Sequence, residues 1–199
     1  MSYPKSIQNL IECYRKLPGI GEKTAERLSF ATLGLNEEVV ELFSESIMDV
    51  KRKIRRCSVC NNITDQEICE LCTSQVRNSE LLCVVEDPKS VFLFENLGTF
   101  KGMYHVLDGL ISPLDGINPE DINLDKLIER IEHGSFKEII IAVKPSIEGE
   151  TTALYISKVL AGTGVLVSKI AHGVPIGADM EYIDNLTLEM ALEDRKKIS

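Results

Sequence analysis

The chain has 199 residues, 44% of them hydrophobic, which is enough for one large or two small globular domains. No apolar run approaches the roughly 20 residues that a membrane span needs, and the N-terminus has no apolar signal core, so we expect a cytoplasmic protein without membrane contact. The net charge of −9 argues against nucleic-acid binding by the whole surface, but residues 1–56 carry a net +2 and residues 57–199 a net −11. A local basic face can bind phosphate on an acidic protein, so the asymmetry predicts two domains with different partners.

Residues 6–56 show helical periodicity and predict three helices. Pro18 and Gly19 end the first helix, the second begins near Glu22, and Asn36 is a candidate N-cap for the third. The residues predicted to face inward are Ile7, Leu10, Ile11, Tyr14 and Leu17 in the first helix, Ala25, Leu28, Ser29 and Ala31 in the second, and Val39, Val40, Leu42, Phe43, Ile47, Val50 and Ile54 in the third.

The turn between the first two helices is a candidate DNA-binding hairpin. Gly19 and Gly21 allow a tight turn that leaves backbone N–H groups uncovered next to a helix N-terminus, which attracts a phosphate. Lys23 and Arg27 are four residues apart and therefore share one helix face. This arrangement predicts a grip on the DNA backbone that does not depend on base sequence. The alternative is an ordinary pair of helices with a solvated basic face.

A basic run at residues 51–56 directly precedes the cysteine region. Its candidate phosphate contacts are Lys51, Arg55 and Arg56. Charge runs are often only solvated faces, and this alternative stays open.

Two Cys-x-x-Cys pairs, Cys57 with Cys60 and Cys69 with Cys72, predict a compact finger that holds one Zn²⁺. Four thiolates without a water or histidine ligand make a closed site, which is structural rather than catalytic. Two disulfides or a redox pair are the alternatives, and the lack of a signal segment weighs against disulfides. Cys13 and Cys83 lie in apolar patterns and are expected to be buried.

After the finger, short apolar strands alternate with amphipathic helices, which predicts a parallel sheet covered on both faces. The expected strands are 81–86, 103–107, 137–143 and 165–170, and the expected helices are 90–96, 124–131, 151–160 and 186–193. The Gly- and Pro-containing loop 108–123 is long enough to be a lid or a partner-binding loop.

Two strings at strand ends, Val84–Ser90 and Val143–Thr151, resemble the signatures of a Toprim domain. In catalytic Toprim enzymes, an acid after the first strand and an Asp-x-Asp after a later one hold Mg²⁺. Glu86 fits the first position, but Lys144 and Ser146 stand where the two aspartates would be. An ammonium in place of a metal ligand predicts that the domain is not catalytic.

A hairpin, a four-cysteine zinc finger and a degenerate Toprim domain in this order resemble the RecR family of recombination mediators. The strings Tyr104–Leu107, Ile111–Gly116 and Ala171–Pro175 agree, whereas Asp108, Lys144 and Ala178 depart from the expected pattern. The resemblance implies a DNA-binding, non-catalytic protein of DNA repair that acts with RecO and RecF to load RecA on gapped DNA. It also implies a homo-oligomer, whether ring, tetramer or dimer. The rival class is a Mg²⁺-dependent Toprim nuclease or phosphotransferase.

The interpretation divides the chain into four parts: a helix-hairpin-helix region (1–56), a four-cysteine zinc finger (57–72), a Toprim domain (79–174), and a C-terminal tail and helix (175–199). The acidic residues Glu86, Glu148 and Glu150 are candidates for binding a basic partner such as RecO. His105, His133 and His172 have no ligand-like spacing, and we assign them no chemistry.

Overall fold

The computed structural model describes residues 3–171, 173–195 and 197, so His172 and the last residues of the predicted tail lie outside the described part. The chain forms two units, Met1–Ile54 and Arg55–Ser199. No helix in the described ranges combines the length and the apolar character needed to cross a bilayer.

The first unit contains three helices, α1 (Lys5–Arg15), α2 (Glu22–Leu33) and α3 (Glu37–Lys53), as predicted. Ile11, Ala25 and Ser29 are its buried residues within the described part. The Tyr14 hydroxyl lies 2.8 Å from the Thr32 hydroxyl and links α1 to α2. Asn36 caps α3 as predicted, since its side chain accepts a hydrogen bond from the Val39 N–H.

Several burial predictions for this unit are wrong. Cys13, Leu17 and Ala31 are exposed, because α1 and α2 pack along a narrow seam that leaves these residues outside it. Helix α3 keeps its predicted apolar pattern but buries none of it. The exposed fraction is 65% for Leu42 and 61% for Val50, so the described residues of the first unit leave this face uncovered.

The second unit begins with a small finger formed by the antiparallel pair β1 (Arg55–Arg56) and β2 (Ile63–Thr64) and the short helix α4 (Glu70–Thr73). A four-stranded parallel sheet follows. Its strands are β3 (Asn78–Val85), β4 (Gly102–Val106), β5 (Glu138–Ala142) and β6 (Leu166–Lys169), arranged β4-β3-β5-β6.

Helices cover both faces of the sheet, which confirms the predicted α/β class. Helices α6 (Leu124–Glu132) and α7 (Ile147–Val159) pack on one face around Leu82, Val84 and Ile139. Helix α5 (Pro88–Leu97) packs on the other face, where Val91 meets Cys83, Val85 and Tyr104. Cys83 is therefore buried, as predicted.

The predicted C-terminal helix is also present, as α8 (Asn185–Glu193), with Asp184 as its N-cap. The loop 108–123 is ordered by two short 3₁₀ turns, Pro113–Asp115 and Pro119–Asp121. The Ile111 N–H donates to the Thr152 hydroxyl at 2.9 Å and so fastens this loop to α7.

His105 on β4 is fully buried and carries an unmet hydrogen-bonding group. Its Nε2 donates to the Asn123 carbonyl at 3.1 Å, while Nδ1 has no partner among the described residues. Burial, with Arg130 and Lys126 nearby, lowers the pKa of His105 from 6.5 to about 4, against the opposing effect of the Asn123 carbonyl.

The lowered pKa of His105 predicts that the protein loses stability in acid. Between pH 6.5 and 4 the unfolded chain binds the proton and the folded chain does not, so stability falls as the pH falls through this window. The full shift corresponds to about 3 kcal/mol. Chemical denaturation at about pH 7 and about pH 4 measures the loss in the free energy of unfolding. We expect this loss to be about 3 kcal/mol larger in the parent than in His105→Gln. Equal losses in the two proteins would contradict the assignment.

Candidate metal centre and nucleic-acid interface

The four predicted zinc ligands converge. The Sγ atoms of Cys57, Cys60, Cys69 and Cys72 all lie within 4.8 Å of one another. Three of the four cysteines are buried and Cys72 is half-buried. All six cysteines are free thiols, so the cysteine pairs do not form the disulfides of the alternative interpretation. Sulfur atoms around one tetrahedral Zn²⁺ would lie about 3.8 Å apart, given a Zn–S bond of about 2.3 Å.

The backbone of each pair shapes this cage. The Cys57 N–H donates to the Asn62 carbonyl at 2.7 Å, and the Cys69 N–H donates to the Cys57 sulfur at 3.3 Å. The Cys60 and Cys69 sulfurs are 3.5 Å apart. Their hydrogen bond is the main reason that the pKa of Cys60 is raised and that of Cys69 is lowered to about 2. Four thiolates this close together repel one another, and a divalent cation among them offsets that repulsion. The donor set fits one structural zinc ion.

The finger is fastened to the outer edge of the sheet. The Val106 N–H donates to the Cys60 carbonyl at 2.9 Å, and the Asn61 side-chain amide donates to the Val106 carbonyl at 3.0 Å. Two further carbonyls of the same edge are also capped, Tyr104 by the Arg130 side chain at 2.6 Å and Gly102 by the Arg77 side chain at 2.8 Å. An exposed strand edge would pair with other chains, so the finger helps to close one side of the sheet.

The hairpin lies in the first unit, between α1 and α2. Gly19 adopts a φ of +80°, and Gly21 is the extended N-cap of α2 with no side-chain cap. The N–H groups of the first turn therefore remain open to a ligand. Glu22 stands in this same turn and reduces the attraction for an anion.

Lys23 and Arg27 are both exposed on α2, one turn apart. In the described part of the chain neither side chain forms an ion pair, so both cations are available to a phosphate. The structure places both predicted residues on the helix face next to the turn.

The basic run at residues 51–56 is divided between the units. Lys51 is exposed in the last turn of α3, whereas Arg55 and Arg56 form β1. Arg55 is exposed and has no ion pair among the described residues. Arg56 is already engaged, because one guanidinium nitrogen donates to both carboxylate oxygens of Asp108 at 2.6 and 2.7 Å. The sequence contained no local signal for this pair, whose members are 52 residues apart.

The Toprim-like strings meet at the carboxyl ends of β3 and β5, where the strand order changes direction. Here the Lys144 ammonium lies 3.7 Å from a Glu86 carboxylate oxygen. Over residues 3–171, 173–195 and 197, the four cysteines are the only group of three or more potential metal ligands. The described carboxylates at this edge therefore do not form a cation cage.

Glu148 and Glu150 lie in the first turn of α7, not in the preceding loop as the predicted helix start implied. The reason is Ser146, whose hydroxyl caps the helix by accepting from the Gly149 N–H at 3.2 Å. A hydrogen bond with Ser146 is the main cause that lowers the pKa of Glu148. Glu150 pairs with Lys169 at 3.0 Å.

Comparison with protein-family models gives four matches along the chain. The helix-hairpin-helix model of RecR matches residues 7–51, the four-cysteine zinc-finger model of RecR matches residues 54–74, and the C-terminal model of RecR matches residues 173–196. A Toprim domain model matches residues 80–171. The matches follow one another in the order that the sequence motifs predicted.

Proposed function

The chain belongs to the RecR family, and from this membership and the geometry of its sites we propose that it is a DNA-binding, non-catalytic mediator of recombinational repair. Recombination mediation is the role that the family's domains support. The finer proposal is that this protein acts in the cytoplasm with RecO and RecF to load RecA on gapped DNA. The observation that carries DNA binding is the pair of exposed cations Lys23 and Arg27, without ion pairs in the described chain, beside an uncapped helix N-terminus.

The proposal also states that the protein is not an enzyme. Two residues that follow β5, Lys144 and Ser146, support this part of it. The Toprim reaction needs carboxylates that hold Mg²⁺. Here an ammonium, Lys144, lies within ion-pair distance of Glu86 and repels a second cation from that carboxylate. Ser146 is used as a helix cap. These two residues favour a mediator over the rival nuclease.

A reconstituted assay tests the function. Gapped DNA coated with single-strand binding protein would be incubated with RecA, Mg²⁺ and ATP, with or without RecO and this protein. We expect faster RecA filament formation only when both are added, and intact DNA afterwards. Cleavage that is abolished by Glu86→Ala would instead establish the nuclease, and no acceleration at all would refute the mediator role.

Partner binding is proposed for the acidic end of the sheet, where Glu86, Glu148 and Glu150 follow two neighbouring strands. Glu86 and Glu150 are partly neutralised by Lys144 and Lys169, so Glu148 carries the least compensated charge of the three. RecO is the proposed basic partner at this end, and RecF is a proposed partner without an assigned surface.

The variant Glu148→Lys with Glu150→Gln should weaken RecO binding several-fold, mainly by slowing association and flattening its salt dependence. The matched control, Glu129→Lys with Glu132→Gln, makes the same charge change on α6 and should bind RecO like the parent. Association rates at several salt concentrations measure both. Equal effects of the two variants would move the RecO surface elsewhere.

A homo-oligomer is also proposed. The uncovered apolar face of α3, which includes Leu42, Phe43, Ile47 and Val50, supports self-association, because monomers rarely leave so continuous an apolar stripe exposed. Repeated hairpins in a ring, tetramer or dimer would add avidity to a grip that is weak in one copy.

A further inference from the structure

Arg56, at the start of the zinc finger, is held by hydrogen bonds to Asp108 and Asn61 but stays accessible to solvent. We call Asp108 and Asn61 the Arg56 cradle. Its Nη2 donates to both Asp108 oxygens, and its Nη1 donates to the Asn61 carbonyl at 3.2 Å. The side chains of Arg56 and Asp108 are each 41% exposed. Solvent, and any ligand dissolved in it, can therefore reach the guanidinium while the protein holds it in place.

The backbone of this cradle is unusual. Asn61 and Asp108, at φ values of +61° and +68°, are the two non-glycine residues with positive φ in the described chain, and both bond Arg56. Left-handed backbone is uncommon outside glycine, although Asn and Asp tolerate it best. It is held here by hydrogen bonds from the Asp108 N–H to the Glu86 carbonyl and from the Asn61 amide to Val106. The fold thus presents the Asp108 carboxylate to Arg56 at a position where a glycine would be under no strain.

A guanidinium nitrogen that donates to both oxygens of a carboxylate can donate to the oxygens of a phosphate in the same way. The neighbouring residue, Arg55, is an exposed cation without an ion pair in the described part of the chain. A phosphate that bound Arg56 would have to displace Asp108 from it. Exposed ion pairs are individually weak, so displacement is possible but reduces what the contact contributes.

We propose that Arg56 is a phosphate-binding position of the zinc finger and that Asp108 is a built-in competitor that limits its contribution to DNA affinity. The inference rests on the proposed DNA-binding function and deepens it. Asp108 acts through Arg56 and is therefore a residue that tunes binding without touching the nucleic acid.

The test compares Asp108→Asn and Asp108→Gly with the parent, on duplex DNA of arbitrary sequence across a salt series. Both replacements tolerate the left-handed backbone and remove the competing charge. For each copy of Arg56 that engages a phosphate, the slope of log K against log salt should steepen by about 0.9, and affinity should rise several-fold at low salt. The double variant Arg56→Ala with Asp108→Asn should lose this gain.

Glu120→Gln is the matched control, because it removes one negative charge from the same loop at a position outside the Arg56 cradle. It should leave the slope unchanged. An unchanged slope in both Asp108 variants, an equal gain in Glu120→Gln, or weaker binding without Asp108 would each overturn the inference. Zinc content, measured in parallel, shows that the finger is intact. A parent protein that binds no DNA would instead refute the proposed function itself.

Discussion

Cys57→Ala is expected to release the zinc ion and to lower the melting temperature by at least about 5 °C, since a loss of even about 1 kcal/mol shifts the midpoint by several degrees. Structural zinc contributes on the order of 10–16 kcal/mol in isolated fingers at neutral pH. That contribution is comparable to the whole stability of a domain. Cys57 is also structural in a second way, since its sulfur accepts a hydrogen bond from the Cys69 N–H that alanine cannot accept. The finger is therefore expected to unfold without it.

The effect should extend to the edge of β4, because Cys60 and Asn61 bond both backbone groups of Val106. Amide hydrogen exchange should show lost protection at Val106 in Cys57→Ala, while the central strands β3 and β5 keep theirs. Cys13→Ala is the matched control, since Cys13 is exposed and outside the cage. One tightly bound zinc per chain and an unchanged melting temperature in Cys57→Ala would contradict the assignment.

The parts of the molecule that the sequence predicted well depend on short-range patterns. The zinc site followed from the spacing of two cysteine pairs, because a Cys-x-x-Cys knuckle is built locally. The strands β3 and β5 followed from continuous apolar runs, since a sheet covered on both faces buries side chains of both orientations. Asn36 was recognisable because an N-cap acts within its own first turn.

The predictions that were wrong failed for physical reasons that a short stretch of sequence does not reveal. The predicted start of α7 was too late because the cap at Ser146 brings Gly149 into the helix. A Cβ at position 149 would overlap the Lys144 carbonyl oxygen, so the glycine allows the strand end and the helix to approach closely. Cys13 has a helical apolar pattern, but the seam between α1 and α2 is too narrow to cover it. The pairing of Arg56 with Asp108 arises only when the finger packs on β4.

Lys23→Ala with Arg27→Ala is expected to abolish nearly all DNA binding at moderate salt. The two side chains are exposed cations next to the Gly19–Gly21 turn, without ion pairs in the described ranges, and phosphate contacts provide most of the free energy of sequence-independent binding. Both residues lie outside the buried seam, so the zinc content, the melting temperature and the oligomer size should stay at parental values. In an oligomer each substitution is repeated in every copy, which magnifies the loss.

A control variant separates this contact from a general change of charge. Lys126→Ala with Lys158→Ala removes two exposed cations from helices α6 and α7 of the second unit. It should reduce DNA affinity only slightly, because these residues lie in the acidic part of the chain and outside the hairpin.

The most direct test of the hairpin as the DNA-binding site is the salt dependence of duplex binding. Fluorescence anisotropy would measure it on two unrelated DNA sequences for three proteins: the parent, the Lys23→Ala, Arg27→Ala variant and the Lys126→Ala, Lys158→Ala control. We predict the same affinity on both sequences, and a slope of log K against log salt that falls by about 1.8 in the Lys23→Ala, Arg27→Ala variant for each hairpin engaged. A double variant that binds with the parental affinity and slope would show that the hairpin is only a packing turn. DNA binding would then have to be sought in the basic run at residues 51–56, at Lys51, Arg55 and Arg56.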